Sequence, residues 1–234
     1  MTVGKRWAVL TMVVAAVGLV GSSAGWMESA GRADASARAN ATGATPVATA
    51  APLLAAAAPA AAGKTAYTAG TAQLRKDPGG AVVGTLTPGT PVSVTESRGT
   101  DAHVSVQGWS AAGSNTVVAA VGVRIALANL SAPDQAQRQT GSQTKDSYGT
   151  VWTQVTISGW VAANALTADV QTVWTHGRQV YEAHCSTCHS LYATDQYTAN
   201  QWPGNIQNMA DRAGLSGDDL SLVLKYLQTH AKAQ

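Results

Sequence analysis

Cys185-Ser186-Thr187-Cys188-His189 is the stretch on which the reading of this chain turns. Two cysteines two residues apart, followed at once by histidine, form the attachment sequence of a c-type haem. Each thiol adds to one vinyl group of the porphyrin while the adjacent imidazole reaches the iron. The motif therefore assigns Cys185 and Cys188 as tethers of one covalently bound haem c, and His189 as an iron ligand. A structural zinc site takes four side chains, and these are the only 2 cysteines in the chain. A thioredoxin-like pair starts a helix after a strand, whereas the residues upstream of Cys185 have helical spacing.

Working outward, Val173, Trp174, Gly177, Val180, Tyr181 and His184 fall near i, i+3, i+4, i+7 and i+8, which predicts a helix running directly into Cys185. Leu220, Val223, Leu224 and Leu227 predict a second helix with one apolar face, and Ser216 with Asp219 reads as a capping box before it. The two helices are expected to cross with Gly177 allowing close approach and Tyr181 meeting Tyr226. Met1, Met12 and Met27 lie in or beside the N-terminal apolar run, which leaves Met209 as the methionine available for the sixth iron position. His176, His184 and His230 are the rival ligands, and an open sixth position is the other alternative. Trp174, Tyr181, Tyr192, Tyr197 and Trp202 are expected to wall the haem. A peptide of about 60 residues cannot build a stable core alone, and the haem would supply the missing apolar area.

These features resemble the class I cytochrome c fold. The likeness rests on Gly177-x-x-x-Tyr181 before the CxxCH, a methionine before the last helix, and LSGDDLSLVLKYL over residues 215–227. The loop from His189 to Met209 is about half the length usual in that family. A narrower likeness is to the C-terminal monohaem module of the pentahaem cytochromes that serve trimethylamine-N-oxide reductases, with Gln201-Trp202-Pro203-Gly204 and Met209 in matching places. What this implies is an electron carrier rather than an enzyme, with a redox partner protein such as a molybdenum-containing N-oxide or S-oxide reductase.

The middle of the chain has a different period. Val82-Val83, Val92-Ser93-Val94-Thr95 and His103-Val104-Ser105-Val106 are short β-rich runs separated by Asp77-Pro78-Gly79-Gly80, Pro88-Gly89 and Arg98-Gly99 turn signals. VSVQGW at residues 104–109 is echoed by VTISGW at 155–160. Residues 67–111 resemble the bacterial SH3-like domain, which implies a docking module. The second copy reads as a degenerate module or as an extension completing the first, and residues 131–147 read as a polar loop. Trp109, Trp152 and Trp160 are either barrel core or an exposed aromatic groove, and His103 reads as a strand-surface residue.

At the N-terminus, Lys5 and Arg6 precede an apolar run over residues 7–20 and then Gly21-Ser22-Ser23-Ala24-Gly25, the order of a secretory signal. The uncharged span also reaches the length of a membrane anchor, with the bulk of the chain outside. Both readings export the body to the periplasm, soluble or anchored to the cytoplasmic membrane. Residues 29–64 are rich in Ala and Thr with Pro46, Pro52 and Pro59, and read as a disordered tether. The formal net charge is +2, and no Lys/Arg cluster exceeds a pair, which excludes a nucleic-acid partner.

The expected organisation is therefore α+β and multidomain. A signal or anchor (1–28) and a linker (29–65) precede a small all-β SH3-like barrel region of one or two copies (66–170). A compact all-α monohaem cytochrome c module (171–234) follows. The function expected is electron carriage with SH3-like docking, and its rival is a haem-based redox or gas sensor tethered by the same region.

Overall fold

Alternation of apolar and polar residues writes a strand wherever one face can be covered, and among the described residues ten strands, most of them so patterned, form one sheet. The structure, a computed structural model, describes residues 63–133 and 136–233. The expected export segment and nearly all of the linker lie outside these residues. The strands are β1 (Thr65–Thr68), β2 (Ala72–Arg75), β3 (Val82–Leu86), β4 (Pro91–Arg98), β5 (Asp101–Ala111), β6 (Thr116–Val118), β7 (Ala126–Leu130), β8 (Gln137–Lys145), β9 (Val151–Ala162) and β10 (Leu166–Thr167). Three helices follow: α1 (Val170–Cys185), α2 (Trp202–Ala210) and α3 (Gly217–Thr229).

The sheet closes on itself. From β5 the pairing runs through β6, β7, β3, β2 and β9, and β9 returns to β5. Closure pairs both sides of every strand in the ring, while β10 and β8 remain at the ends of the sheet. The two echoing sequences are the strands that complete the ring: Val104 pairs with Gly159, Val106 with Ile157 and Gly108 with Val155. The repeat is thus one antiparallel ladder facing itself within a single barrel. Its glycines are steric necessities, since a Cβ on Gly108 would lie 2.6 Å from the Val118 carbonyl oxygen and one on Gly159 would lie 2.7 Å from that of Arg75. Inside the barrel Leu74, Val83, Leu86, Val94, Val104, Val117, Ile157 and Val161 are fully buried.

Residues 131–147 depart from the expected loop. Gln137–Lys145 is strand β8, paired to β9 outside the closed ring and almost wholly exposed. A strand beyond the ring covers no core, so it carries no apolar alternation to read. Trp160 is buried, with Arg98 stacked 5.1 Å from its ring centroid. Trp109 and Trp152 are half-buried, and Trp152 Nε1 donates to Asp146 Oδ2 at 2.9 Å.

The separate all-α module is corrected by the structure. The three helices form a layer on the barrel within one compact unit, and the described residues are dominated by strands. Polar side chains fasten the layer. The ammonium of Lys225 donates to Thr87 Oγ1 at 2.8 Å and to the Ala126 carbonyl. Gln228 Nε2 donates to the carbonyls of Arg124 (3.0 Å) and Ala199 (2.9 Å), and Asn200 Nδ2 donates to the Gly122 carbonyl at 2.8 Å. The Pro88-Gly89 turn presses on Trp174, where a Cβ on Gly89 would fall 2.1 Å from the indole. The helical segment keeps its own apolar cluster and is fastened to the barrel by this polar seam and the Gly89–Trp174 contact.

Candidate haem-attachment site

Helix α1 delivers the motif. Asp169 caps it, its carboxylate accepting from the Gln171 N–H at 2.9 Å, and Val173, Gly177 and Tyr181 form its buried face. Gly177 lets α1 cross α3 closely, because a Cβ there would stand 2.8 Å from Tyr226 Cβ. The Tyr181 and Tyr226 rings meet at 6.4 Å. Both contacts match the expected crossing. Ser216 occupies the N-cap of α3 but makes no side-chain capping bond, so the expected capping box is absent. Asp218 and Asp219 still place negative charge at the helix's positive end.

Cys185 is the last residue of α1, and Ser186, Thr187 and Cys188 form the turn that follows. The turn is held by Ser186 N–H donating to the Glu182 carbonyl at 3.3 Å and Thr187 Oγ1 donating to that of His184 at 3.1 Å. Both cysteines are free thiols, Cys185 half-buried and Cys188 exposed. Burial, and then the neighbouring Cys188, push the Cys185 thiol up from its ordinary value. His189 is exposed and its Nδ1 donates to the Ser190 carbonyl at 2.7 Å. In the neutral ring that bond puts the proton on Nδ1 and leaves the Nε2 lone pair available to a metal.

A second core cluster lies beside the turn, built from Tyr181, Trp202, Ile206, Ala210, Leu215, Val223, Tyr226 and Leu227. Cys185 and Met209 both pack against it. Met209 is a half-buried residue of α2, a helix that opens with Trp202 and Pro203, proline being suited to a first turn where its missing N–H costs nothing. Aromatic rings continue outward from His189: Tyr192 at 5.1 Å, then Tyr197 at 5.7 Å, then Trp202 at 5.0 Å. Tyr181 Oη donates to the Tyr192 carbonyl at 2.9 Å, and burial pushes its pKa up to about 12. Two of the rival histidines bond backbone carbonyls through Nδ1, as His189 does, and the third is exposed. His184 Nδ1 donates to the Ala213 carbonyl at 2.7 Å, His230 Nδ1 to that of Tyr226 at 2.8 Å, and His176 is exposed on α1.

This donor set fits a tethered haem. Two free thiols one turn apart, an imidazole with an available Nε2 and a thioether sharing a cluster with one thiol are the required groups. Leu191 and Tyr192, 37% and 39% exposed, leave apolar surface beside the turn for a porphyrin to cover. Among the described residues no group of three or more His, Cys, Asp and Glu side chains converges, so the ligand set of a structural zinc site is missing. Sequence reasoning missed the His184 and seam contacts, whose partners lie far along the chain and leave no periodic signal.

A family model described as the TorC third cytochrome c domain matches residues 60–166. The match covers the barrel, contains no cysteine, and ends before the CxxCH. It replaces the SH3-like reading of that region, which nothing supports. The cytochrome c-type protein TorY of Escherichia coli O157:H7 is 35% identical over 150 residues, covering 63% of this chain and 41% of that protein. TorY of Haemophilus influenzae is 32% identical over 133 residues, 55% of this chain and 35% of that protein. TorC of Escherichia coli K12 is 26% identical over 151 residues, 63% of this chain and 39% of that protein. The chain thus spans about two fifths of the length of these curated relatives. No solved structure matches. With a barrel matched by the TorC model and its own CxxCH at the end of a helix, the chain is TorC-like, similar to the c-type cytochromes TorC and TorY.

Proposed function

We propose that this chain is an exported electron carrier, not an enzyme, with one haem c joined to Cys185 and Cys188 and its iron held by His189 and Met209. The observation that carries the reading is the shared cluster: the tether turn and the α2 methionine border the same buried aromatic and aliphatic wall. When bound, the haem supplies a one-electron couple. His189 keeps its ligating nitrogen free through the Ser190 bond, and Trp202 and Tyr226 exclude water from the pocket wall. With His189 and Met209 both holding the iron, no coordination position would remain for a substrate, and electron transfer would be the chemistry left. The barrel anchors α3 through Lys225 and Gln228 and abuts α1 at Trp174. The redox partner is a periplasmic reductase, with an N-oxide or S-oxide reductase favoured by the likeness to TorC and TorY. Export rests on residues 1–28. Among the described residues no helix is long and apolar enough to cross a membrane.

The test is direct. Denatured protein should retain its haem through acid-acetone extraction and weigh one haem more than the polypeptide, and loss of haem on extraction refutes the tether. Reduced protein should be low-spin and indifferent to carbon monoxide. Met209→Ala should admit carbon monoxide, and ready binding to the unaltered protein would favour a gas sensor instead.

A further inference from the structure

Helix α2 ends in a tight turn whose backbone bonds are specific. Ala213 N–H donates to the Met209 carbonyl at 2.9 Å, Gly214 N–H to that of Asp211 at 3.2 Å, and Leu215 N–H to that of Ala210 at 2.9 Å. Gly214 has φ +66°. This is the paired-bond pattern that closes a helix with a left-handed glycine, and buried Leu215 anchors it in the cluster. Such an end still leaves late carbonyls without partners inside the helix. The Ala213 carbonyl is one of them, and it accepts from His184 Nδ1, 29 residues earlier in the chain, at 2.7 Å. His184 immediately precedes Cys185 in the last turn of α1. One imidazole therefore links the residue before the haem tether to a residue whose own N–H is bonded to the backbone of Met209.

We propose that His184 is a positioning residue that clamps the Met209 end of α2 to the tether turn, fixing how far the thioether sits from the residues that anchor the porphyrin. The inference rests on the assignment of Met209 as the distal ligand. The clamp casts His184 as a support for the ligand rather than as a ligand: its Nδ1 bonds the Ala213 carbonyl, and its ring is half-buried. Releasing the bond leaves the cluster in place but frees the α2 terminus to swing, so the loss falls on how long the thioether stays on the iron.

The test uses the full haem-loaded chain in the ferric state, with imidazole as exogenous ligand and the rate of its entry as the readout. His184→Phe keeps a ring of similar size and removes the donor. A single hydrogen bond of this kind is worth roughly a tenfold change, so imidazole should enter about ten times faster at unchanged global stability of the barrel. His184→Asn, whose amide can donate to the same carbonyl, should restore slow entry, a rescue that general loosening of the core does not predict. Met209→Ala separates the two layers of the argument. If it leaves imidazole entry unchanged, the ligand assignment is wrong and the clamp falls with it. If it opens the iron while His184→Phe does not, or if His184→Asn enters as fast as His184→Phe, the clamp alone is wrong.

Discussion

Lys225 carries a charge where the fold offers it nothing of opposite sign. It is 4% exposed, at the seam between α3 and the barrel, and donates only to a hydroxyl and a carbonyl. Burial pulls its pKa down from 10.5 to about 7. The cation is disfavoured in the folded state, so the unfolded chain binds the proton more tightly between those two values. Stability should therefore rise with pH from about 7 to about 10.5 and carry the full penalty below about 7. At about 1.4 kcal/mol for each pH unit between the two values the ceiling is about 5 kcal/mol, and relaxation of the seam should leave about 2–4 kcal/mol. Lys225→Met substitutes an unbranched apolar chain of similar length. It orphans nothing, because the Ala126 carbonyl still accepts from Thr87 Oγ1 at 2.6 Å. Denaturant unfolding of the haem-loaded protein across this range should find the variant more stable near pH 6 by about 2–4 kcal/mol. The gap should close towards the alkaline end. Parallel curves for the two proteins would refute the argument that a buried, uncompensated ammonium sits at this seam.

Other expectations are narrower. Gly177→Ala should destabilise the protein by about 1–2 kcal/mol in denaturant unfolding, the overpacking against Tyr226 exceeding the helix propensity gained. Trp152→Phe removes the indole donor that leads the lowering of the Asp146 carboxyl pKa, so an NMR titration should find that carboxyl closer to its ordinary value. Asp169→Ala should cost about 1 kcal/mol and appear as faster amide exchange in the first turn of α1, with the last turn before Cys185 unaffected.

What was legible in the sequence was local. The CxxCH needs only five consecutive residues, and the faces of α1 and α3 follow from 3.6-residue spacing, which also brought out Gly177 and the meeting of Tyr181 with Tyr226. The likeness to a trimethylamine-N-oxide-type cytochrome was carried by the same short-range features, and the resemblance to TorC and TorY agrees with it. The echo of VSVQGW in VTISGW was visible as well, yet it left open a second module or an extension completing the first, because similarity between segments carries no information about pairing. Only tertiary structure decided that residues 51 positions apart, Val106 and Ile157, are partners in one ladder that closes a barrel. It decided too that the helices form a layer on that barrel. Lys225, Gln228 and Asn200 look like solvated positions in one dimension, and burial at the seam comes from neighbours roughly a hundred residues away. Strand β8 escaped notice for the converse reason: outside the ring it buries nothing, so its residues answer to the backbone bonds of β9 and not to a hydrophobic face. Periodicity reports which side of an element is covered, whereas the identity of the cover is set by long-range contacts that leave no mark on local spacing.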